Sequence, residues 1–152
     1  MVRVRIAPSP TGFAHVGTAY MALFNWAFAK KNQGVFILRL EDTDQKRHVP
    51  EAEEAIYSAL KWLNLNPDES PVKGGTFGPY RQSERLKRYQ ETAKELVENG
   101  SAYEKDGAIW LKMLPDIVFE WEDAVRGKIS FDSNQLKDWV ILKSDSNPTY
   151  NF

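Results

Sequence analysis

The sequence predicts an α/β fold with parallel strands at its start and a small β-rich insertion behind them. Three observations lead there: a strand–loop–helix–strand succession over residues 2–41, a helical middle stretch, and short β-like runs after residue 100. A strand, a helix and a second strand in succession form a βαβ unit, whose strands run parallel with a right-handed crossover.

Val2 to Ala7 alternates apolar and basic, so Val2, Val4 and Ile6 share one face while Arg3 and Arg5 share the other. Thr18 to Lys31 places Tyr20, Leu23, Phe24, Ala27 and Phe28 at helical spacing, and Gly34 ends the pattern. Val35 to Glu41, VFILRLE, is rich in β-branched and aromatic residues and reads as the second strand. Pro50 suits the first turn of a helix running to about Leu63, with Glu51, Glu53 and Glu54 near its positive end. Residues 64–80 hold three prolines and three glycines and read as a loop. Ser83 stands where the cap of a third helix is expected, and Asn99-Gly100 ends that helix. Beyond it, Asp106-Gly107 between AYE and AIWLK is a hairpin signal. IVFEW, KISF and DWVILK follow as short β-like runs. The boundary is drawn at 1–100 and 101–152, where the composition shifts.

A length of 152 residues suffices for one domain with a buried core, or for part of one. The apolar share of 42%, the charged share of 27% and the net charge of −1 are ordinary for a globular chain, so a nucleic-acid contact has to be a local patch. There is no cysteine, which excludes disulfides and thiolate-bound zinc and is compatible with a cytoplasmic location. MVRVRIAPSP lacks the apolar core of a signal peptide. No apolar run approaches the ~20 residues of a membrane span.

Residues 8–18, PSPTGFAHVGT, crowd two prolines, two glycines and one of two histidines into the handover from strand to helix. A helix start carries exposed N–H groups and about half a positive charge, a natural seat for an anion. Gly17 lets a ligand approach the backbone, the prolines remove loop entropy, and His15 can donate to a phosphate oxygen. This is how a pocket for nucleotide phosphates would be built. Taken alone, the loop also admits a plainer reading, a proline-stiffened turn with a surface histidine.

The wider stretch RIAPSPTGFAHVGTAYMALFNWAFAK resembles the first signature of class I aminoacyl-tRNA synthetases, with HVGT in place of the "HIGH" motif. Its surroundings look like the bacterial-type glutamyl-tRNA synthetases. FILRLEDTD at 36–44, ALKWLNLNPDE at 59–69, GPYRQSERL at 78–86, RGKISF, and WVILKSDSNPTYNF at the end match in order. The resemblance implies the first half of a Rossmann-like nucleotide-binding fold, then an insertion returning towards a second half. It implies ATP-dependent activation of glutamate to glutamyl-adenylate and transfer to the 3′ terminus of tRNA(Glu). ATP would arrive with Mg²⁺ as a substrate complex, and the protein would be monomeric. The family's lysine-bearing "KMSKS" loop has no counterpart here, so the chain alone is expected to be incomplete and inactive. The family's longer segment after the equivalent of SAY, sometimes zinc-binding, is also missing, and no protein-bound metal is expected.

The resemblance also assigns roles. His15 and Gly17 fall on catalytic, ATP-binding positions, and Pro8, Ser9 and Thr18 complete the ATP set. Thr18 replaces the second histidine of "HIGH", a substitution compatible with the glutamyl branch. Arg5, Ser9 and Glu41 fall on positions that contact glutamate, Tyr150 lines the same pocket, and Ala7 lends backbone contacts. An arginine is the planar partner for a side-chain carboxylate and a glutamate the acceptor for an α-ammonium; the alternative is that Arg5 and Glu41 simply pair with each other. Arg3 and Arg39 read as members of a solvated or salt-bridged face. Asp44 and Arg47, within DTDQKRH, are candidate contacts with the tRNA 3′ end, and Arg81, Arg85, Lys87 and Arg88 are either a backbone-steering cluster or a wet helix face. Two further readings stay open: a truncated paralogue that glutamylates a modified tRNA base, and a non-catalytic nucleotide- or RNA-binding module.

Overall fold

The computed structural model describes residues 1–12, 14–44, 47 and 49–152, which divide into two compact units, Met1–Leu86 and Lys87–Phe152. Among the described residues, no helix is long and apolar enough to cross a membrane.

In the first unit, β1 (Arg3–Ile6) and β2 (Val35–Leu38) pair in parallel, Arg3 opposite Val35 and Ile6 opposite Leu38. Helix α1 (Val16–Lys31) is the crossover between them. Regular strand stops at Leu38, short of the expected Glu41, but the pairing does not. The Arg39 N–H donates to the Ile6 carbonyl and the Glu41 N–H to the Pro8 carbonyl, both at 3.0 Å. On the other side of β2, bridges join Ile37 to Glu69 and Leu40 to Arg81. The stretch read as plain loop therefore supplies fragments of a third strand, which its prolines and glycines conceal from a propensity argument.

Side chains alternate across this sheet. Ile6, Phe36, Leu38 and Leu40 are buried and make one core with Ala22 and Ala29 of α1 and with Ile56 and Leu60 of α2 (Pro50–Trp62). The alternate positions include Arg3 and Arg5 of β1 and Arg39 and Glu41 just past β2. Arg3 forks onto Glu69 at 2.8 and 2.7 Å, the Tyr80 hydroxyl donates to the same carboxylate, and the Arg3 guanidinium lies 4.5 Å over the Phe77 ring. The hydrogen bond from Arg3, then that from Tyr80, holds the Glu69 carboxyl below its ordinary value of 4.5. Its contribution to stability is complete above that value and fades as pH falls through the lowered one. Glu69→Gln is expected to lose that acid limb: melting temperatures of the two proteins should differ most near neutrality and converge as the pH falls through the lowered value. A constant gap across the range would remove Glu69 from the acid response.

Helix α1 turns out differently from its spacing. Tyr20, Leu23, Phe24 and Phe28 face outward, with Tyr20 at 59% and Phe24 at 58% exposure, while Ala22 and Ala29 are fully buried. Alanines let the helix axis approach the sheet closely, and large side chains on that face would hold it off. Ser83 also differs, since it does not cap α3. Its N–H and hydroxyl both donate to the Asp42 carboxylate, at 2.9 and 2.6 Å, and it opens a short 3₁₀ turn instead.

In the second unit, α3 (Leu86–Glu98) leads into β3 (Ala102–Lys105) and β4 (Ala108–Leu111). Asp106 and Gly107 close that hairpin with φ of 52° and 74°, the left-handed pair a tight two-residue turn requires. Strands β5 (Val118–Asp123) and β6 (Gly127–Asp132) form a separate antiparallel ribbon, and β7 (Trp139–Leu142) returns to the free edge of β4. Ala93, Ala102, Ile141 and Leu142 form this unit's core.

Candidate functional site

Site geometry begins with the cap of α1. His15 has extended backbone at the N-cap position, and its Nδ1 accepts the Gly17 N–H at 3.1 Å. A neutral ring that accepts through Nδ1 carries its proton on Nε2, which is then a donor. The Thr18 N–H is engaged as well, by the His15 carbonyl at 2.9 Å. The first turn therefore offers fewer open N–H groups than the sequence leads one to expect. The imidazole takes over part of the anion-facing role while the dipole of a helix with no acidic residue in its first turn stays positive.

Gly17 has a second purpose besides access. A Cβ there would stand 2.8 Å from His15 Cε1 and 3.0 Å from Nδ1. The ring can escape only by leaving the cap. Gly17→Ala and His15→Ala are each expected to cost about 1 kcal/mol, the usual worth of an N-cap. The double variant should lose little more than either single one, because both remove the same bond. Urea unfolding of the four proteins measures this, and full additivity would show that the two residues act separately.

In front of this cap lies a cavity of about 330 Å³ lined by Pro8, Ser9, Thr11, Gly12, Ala14, His15, Thr18 and Ile56. That volume lies at the lower end of small-molecule sites. Four of the five residues expected at ATP, Pro8, Ser9, His15 and Thr18, meet here, and Gly17 sits beneath the imidazole. Thr11, Gly12, Ala14 and Ile56 are lining residues the sequence reading did not single out. The first three fall inside the motif it quoted, whereas Ile56 gives no local signal because α2 brings it from afar. Phe13 lies outside the described residues.

Of the residues expected at glutamate, Ser9 lines this cavity, whereas Arg5, Ala7, Glu41 and Tyr150 are not among its lining residues. Arg5 projects from β1, is exposed, and forms no ion pair with any described residue. Ala7 follows β1 and is half-buried. Glu41 is only 7% exposed and is tied to the cavity wall by the backbone bond to Pro8. Arg5 and Glu41 do not pair. The Glu41 carboxylate engages Arg39 instead, and Arg3 engages Glu69, so both arginines belong to the salt-bridged face as read. Tyr150 lies in the second unit and is 71% exposed, in a segment that folds back on β7 through the bond from the Thr149 N–H to the Ile141 carbonyl.

Asp44 and Arg47 form an ion pair at 2.6 Å, with the arginine side chain 74% exposed. Gln45, Lys46 and His48, from the same run, lie outside the described residues. Arg81 is not a free surface cation. It forks onto Glu53 of α2 at 2.6 and 2.5 Å, and this contact raises its pKa above the usual arginine value. Burial, then the Glu53 charge, pushes the neighbouring Tyr57 hydroxyl up to about 12. The pairing joins α2 to the bridge residue beside Leu40, so the Arg81 guanidinium is held by the fold rather than left open on the surface.

Known proteins match this chain along its whole length. The family model described as "tRNA synthetases class I (E and Q), catalytic domain" matches residues 1–109 and 104–152. A glutamate–tRNA ligase of Mycoplasmopsis agalactiae is 46% identical over 99% of this chain and 42% of its own length. One from Thermus thermophilus is 46% identical over 99% of this chain and 40% of its own. A crystal structure of a glutamate tRNA ligase from Elizabethkingia meningosepticum, in complex with its amino acid, superposes with a TM-score of 0.88 at 36% identity, over 99% of this chain and 40% of that one. The chain thus spans about two fifths of the length of these relatives. The Mycoplasmopsis alignment takes 195 positions against a chain of 152, so that relative holds a stretch with no counterpart here. The two stretches of the family match meet at 104–109, on the β3–β4 hairpin turn. With the pattern of that family running from the first strand to the last and the fold superposing throughout, the chain belongs to the class I glutamate–tRNA ligase family, within its catalytic domain.

Proposed function

We propose that this chain provides the part of a glutamate–tRNA ligase that holds ATP and recognises glutamate. The observation that carries this reading is the cavity where Pro8, Ser9, His15 and Thr18 meet at the capped start of α1. The triphosphate lies there, with Gly17 leaving room for the imidazole and Mg²⁺ accompanying ATP as substrate. Glutamate lies beside it: Arg5 takes the side-chain carboxylate, Glu41 the α-ammonium, and Ser9 and Ala7 add further contacts. In the first step an α-carboxylate oxygen forms a bond to the α-phosphorus while the bond to the bridging oxygen breaks and pyrophosphate departs. His15 Nε2–H stabilises charge on the phosphate oxygens, a contribution of positioning and preorganised electrostatics. Transfer to the tRNA(Glu) 3′ terminus follows, with Asp44 and Arg47 near the acceptor end, in a monomeric cytoplasmic enzyme.

Titration of the chain with ATP and with glutamate, followed by amide NMR, tests this directly. ATP should perturb residues 8–18, glutamate should perturb residues 5–9 and 41, and His15→Ala should weaken ATP alone. Perturbations elsewhere, or none, overturn the reading. Because the chain is two fifths of the relatives' length, its own ATP–pyrophosphate exchange with glutamate and tRNA is expected to be near background.

A further inference from the structure

Resting on that reading, we infer that Arg39 and Gln82 are positioning residues that fix Glu41 so that one carboxylate oxygen is reserved for the ammonium of the amino-acid substrate.

Two contacts from Arg39 converge on a single atom of Glu41. Its Nη2 donates to Glu41 Oε1 at 2.6 Å and its Nε to the same oxygen at 3.0 Å. Gln82 Nε2 also points at Oε1, from 3.5 Å. Glu41 Oε2 receives no hydrogen bond from a described residue. A guanidinium facing a carboxylate ordinarily spreads over both oxygens, as Arg3 does on Glu69 and Arg81 on Glu53. At Glu41 two guanidinium nitrogens close on one oxygen. That matters because Glu41 is only 7% exposed and Gln82 only 6%, so neither is a surface side chain that water would reorient freely. Oε2 is not among the fully buried unpartnered side-chain atoms of the described residues, so it keeps an opening to solvent through which a ligand group can reach it. A substrate ammonium is the group with the right charge and donor number.

The backbone makes the arrangement rigid. Glu41 N–H is bonded to Pro8 on one side, while the Leu40 carbonyl accepts the Gln82 N–H at 3.0 Å on the other. Arg39 alternates onto the same side of the chain as Glu41, and Gln82 arrives beside Leu40 by the bridge of Arg81. Two sequence-distant segments therefore act on one carboxylate. The same contacts give selectivity a physical basis. A fixed Oε2 prefers a ligand that presents an ammonium there to one that presents nothing, since the latter leaves the oxygen desolvated and unpaired.

The experiment compares L-glutamate with glutarate, which keeps both carboxylates and lacks the amino group, by calorimetric or NMR titration of the full chain. The variants are Glu41→Gln, Arg39→Gln, Arg39→Lys and Gln82→Ala. The unmodified chain should prefer glutamate by roughly tenfold or more, and Glu41→Gln should erase that preference. Arg39→Gln should erase most of it while leaving glutarate affinity unchanged, which also reports an intact fold. Arg39→Lys should restore part of it, and Gln82→Ala should have the smaller effect. If Glu41→Gln abolishes the preference and Arg39→Gln leaves it whole, the positioning role is overturned and the glutamate pocket stands. Equal loss of both ligands in Arg39→Gln would show a merely structural role and overturn the inference as well. An unmodified chain that does not distinguish the two ligands overturns the pocket reading and this inference with it.

Discussion

Arg5→Ala is expected to lower affinity for glutamate by a hundredfold or more and to leave ATP binding where it was. A guanidinium that grips a carboxylate makes two charge-assisted hydrogen bonds, each worth about 1.5–3 kcal/mol, and a loss of about 3 kcal/mol is a factor above one hundred. Arg5 is suited to the task because it is exposed and forms no ion pair with a described residue. Arg3, Arg39 and Arg81 are all engaged by carboxylates of the chain itself. The effect should fall on glutarate and glutamate alike, which separates Arg5 from Glu41. Arg5→Lys should recover only part of the affinity, because an ammonium cannot reproduce the planar fork. Titration with both ligands measures this, and an unchanged glutamate affinity would remove Arg5 from the pocket.

The largest structural effect is expected from Phe36→Ala. Phe36 is fully buried at the centre of β2, and its backbone carbonyl accepts the Asp68 N–H at 2.7 Å. Truncating a buried phenylalanine costs about 3–5 kcal/mol, from lost transfer energy and from the cavity left behind. That is a large part of the 5–15 kcal/mol available to a domain of ordinary stability. The first unit has little to spare, since its regular sheet has only two strands and isolated pairs of strands are marginal in water. Urea unfolding should shift to much lower denaturant, with amides of β1 and β2 losing exchange protection first. Phe24→Ala, on the exposed face of α1, should change stability by less than about 0.5 kcal/mol. Similar losses at the two positions would mean that α1 packs through its aromatic face after all.

That contrast shows where the sequence was informative about α1 and where it was not. Helical spacing located the element, but its large apolar residues were the wrong guide to which side is covered. A helix that is apolar all round gives no facing preference, and the choice fell to the alanines because they allow the closest approach to the sheet. The strands were easier. The alternation of valine and arginine in β1 already separated a core face from a polar one, and the β-branched and aromatic run VFILRLE located the second strand. The Asp106-Gly107 turn was equally plain, because few residue pairs accept two left-handed conformations in succession.

The motif PSPTGFAHVGT and its place between strand and helix identified the cavity, since the chemistry of a helix start is local and its residues are contiguous. By itself the sequence determined the βαβ order, the motif at the start of α1, and the family. Only the tertiary structure decided which arginine meets which carboxylate. Arg3 goes to Glu69, Arg39 to Glu41 and Arg81 to Glu53, leaving Arg5 available. Charge pairing depends on distances between segments far apart in the chain. A pattern of residues along one strand fixes the face a charge occupies and not the partner that the fold carries to it.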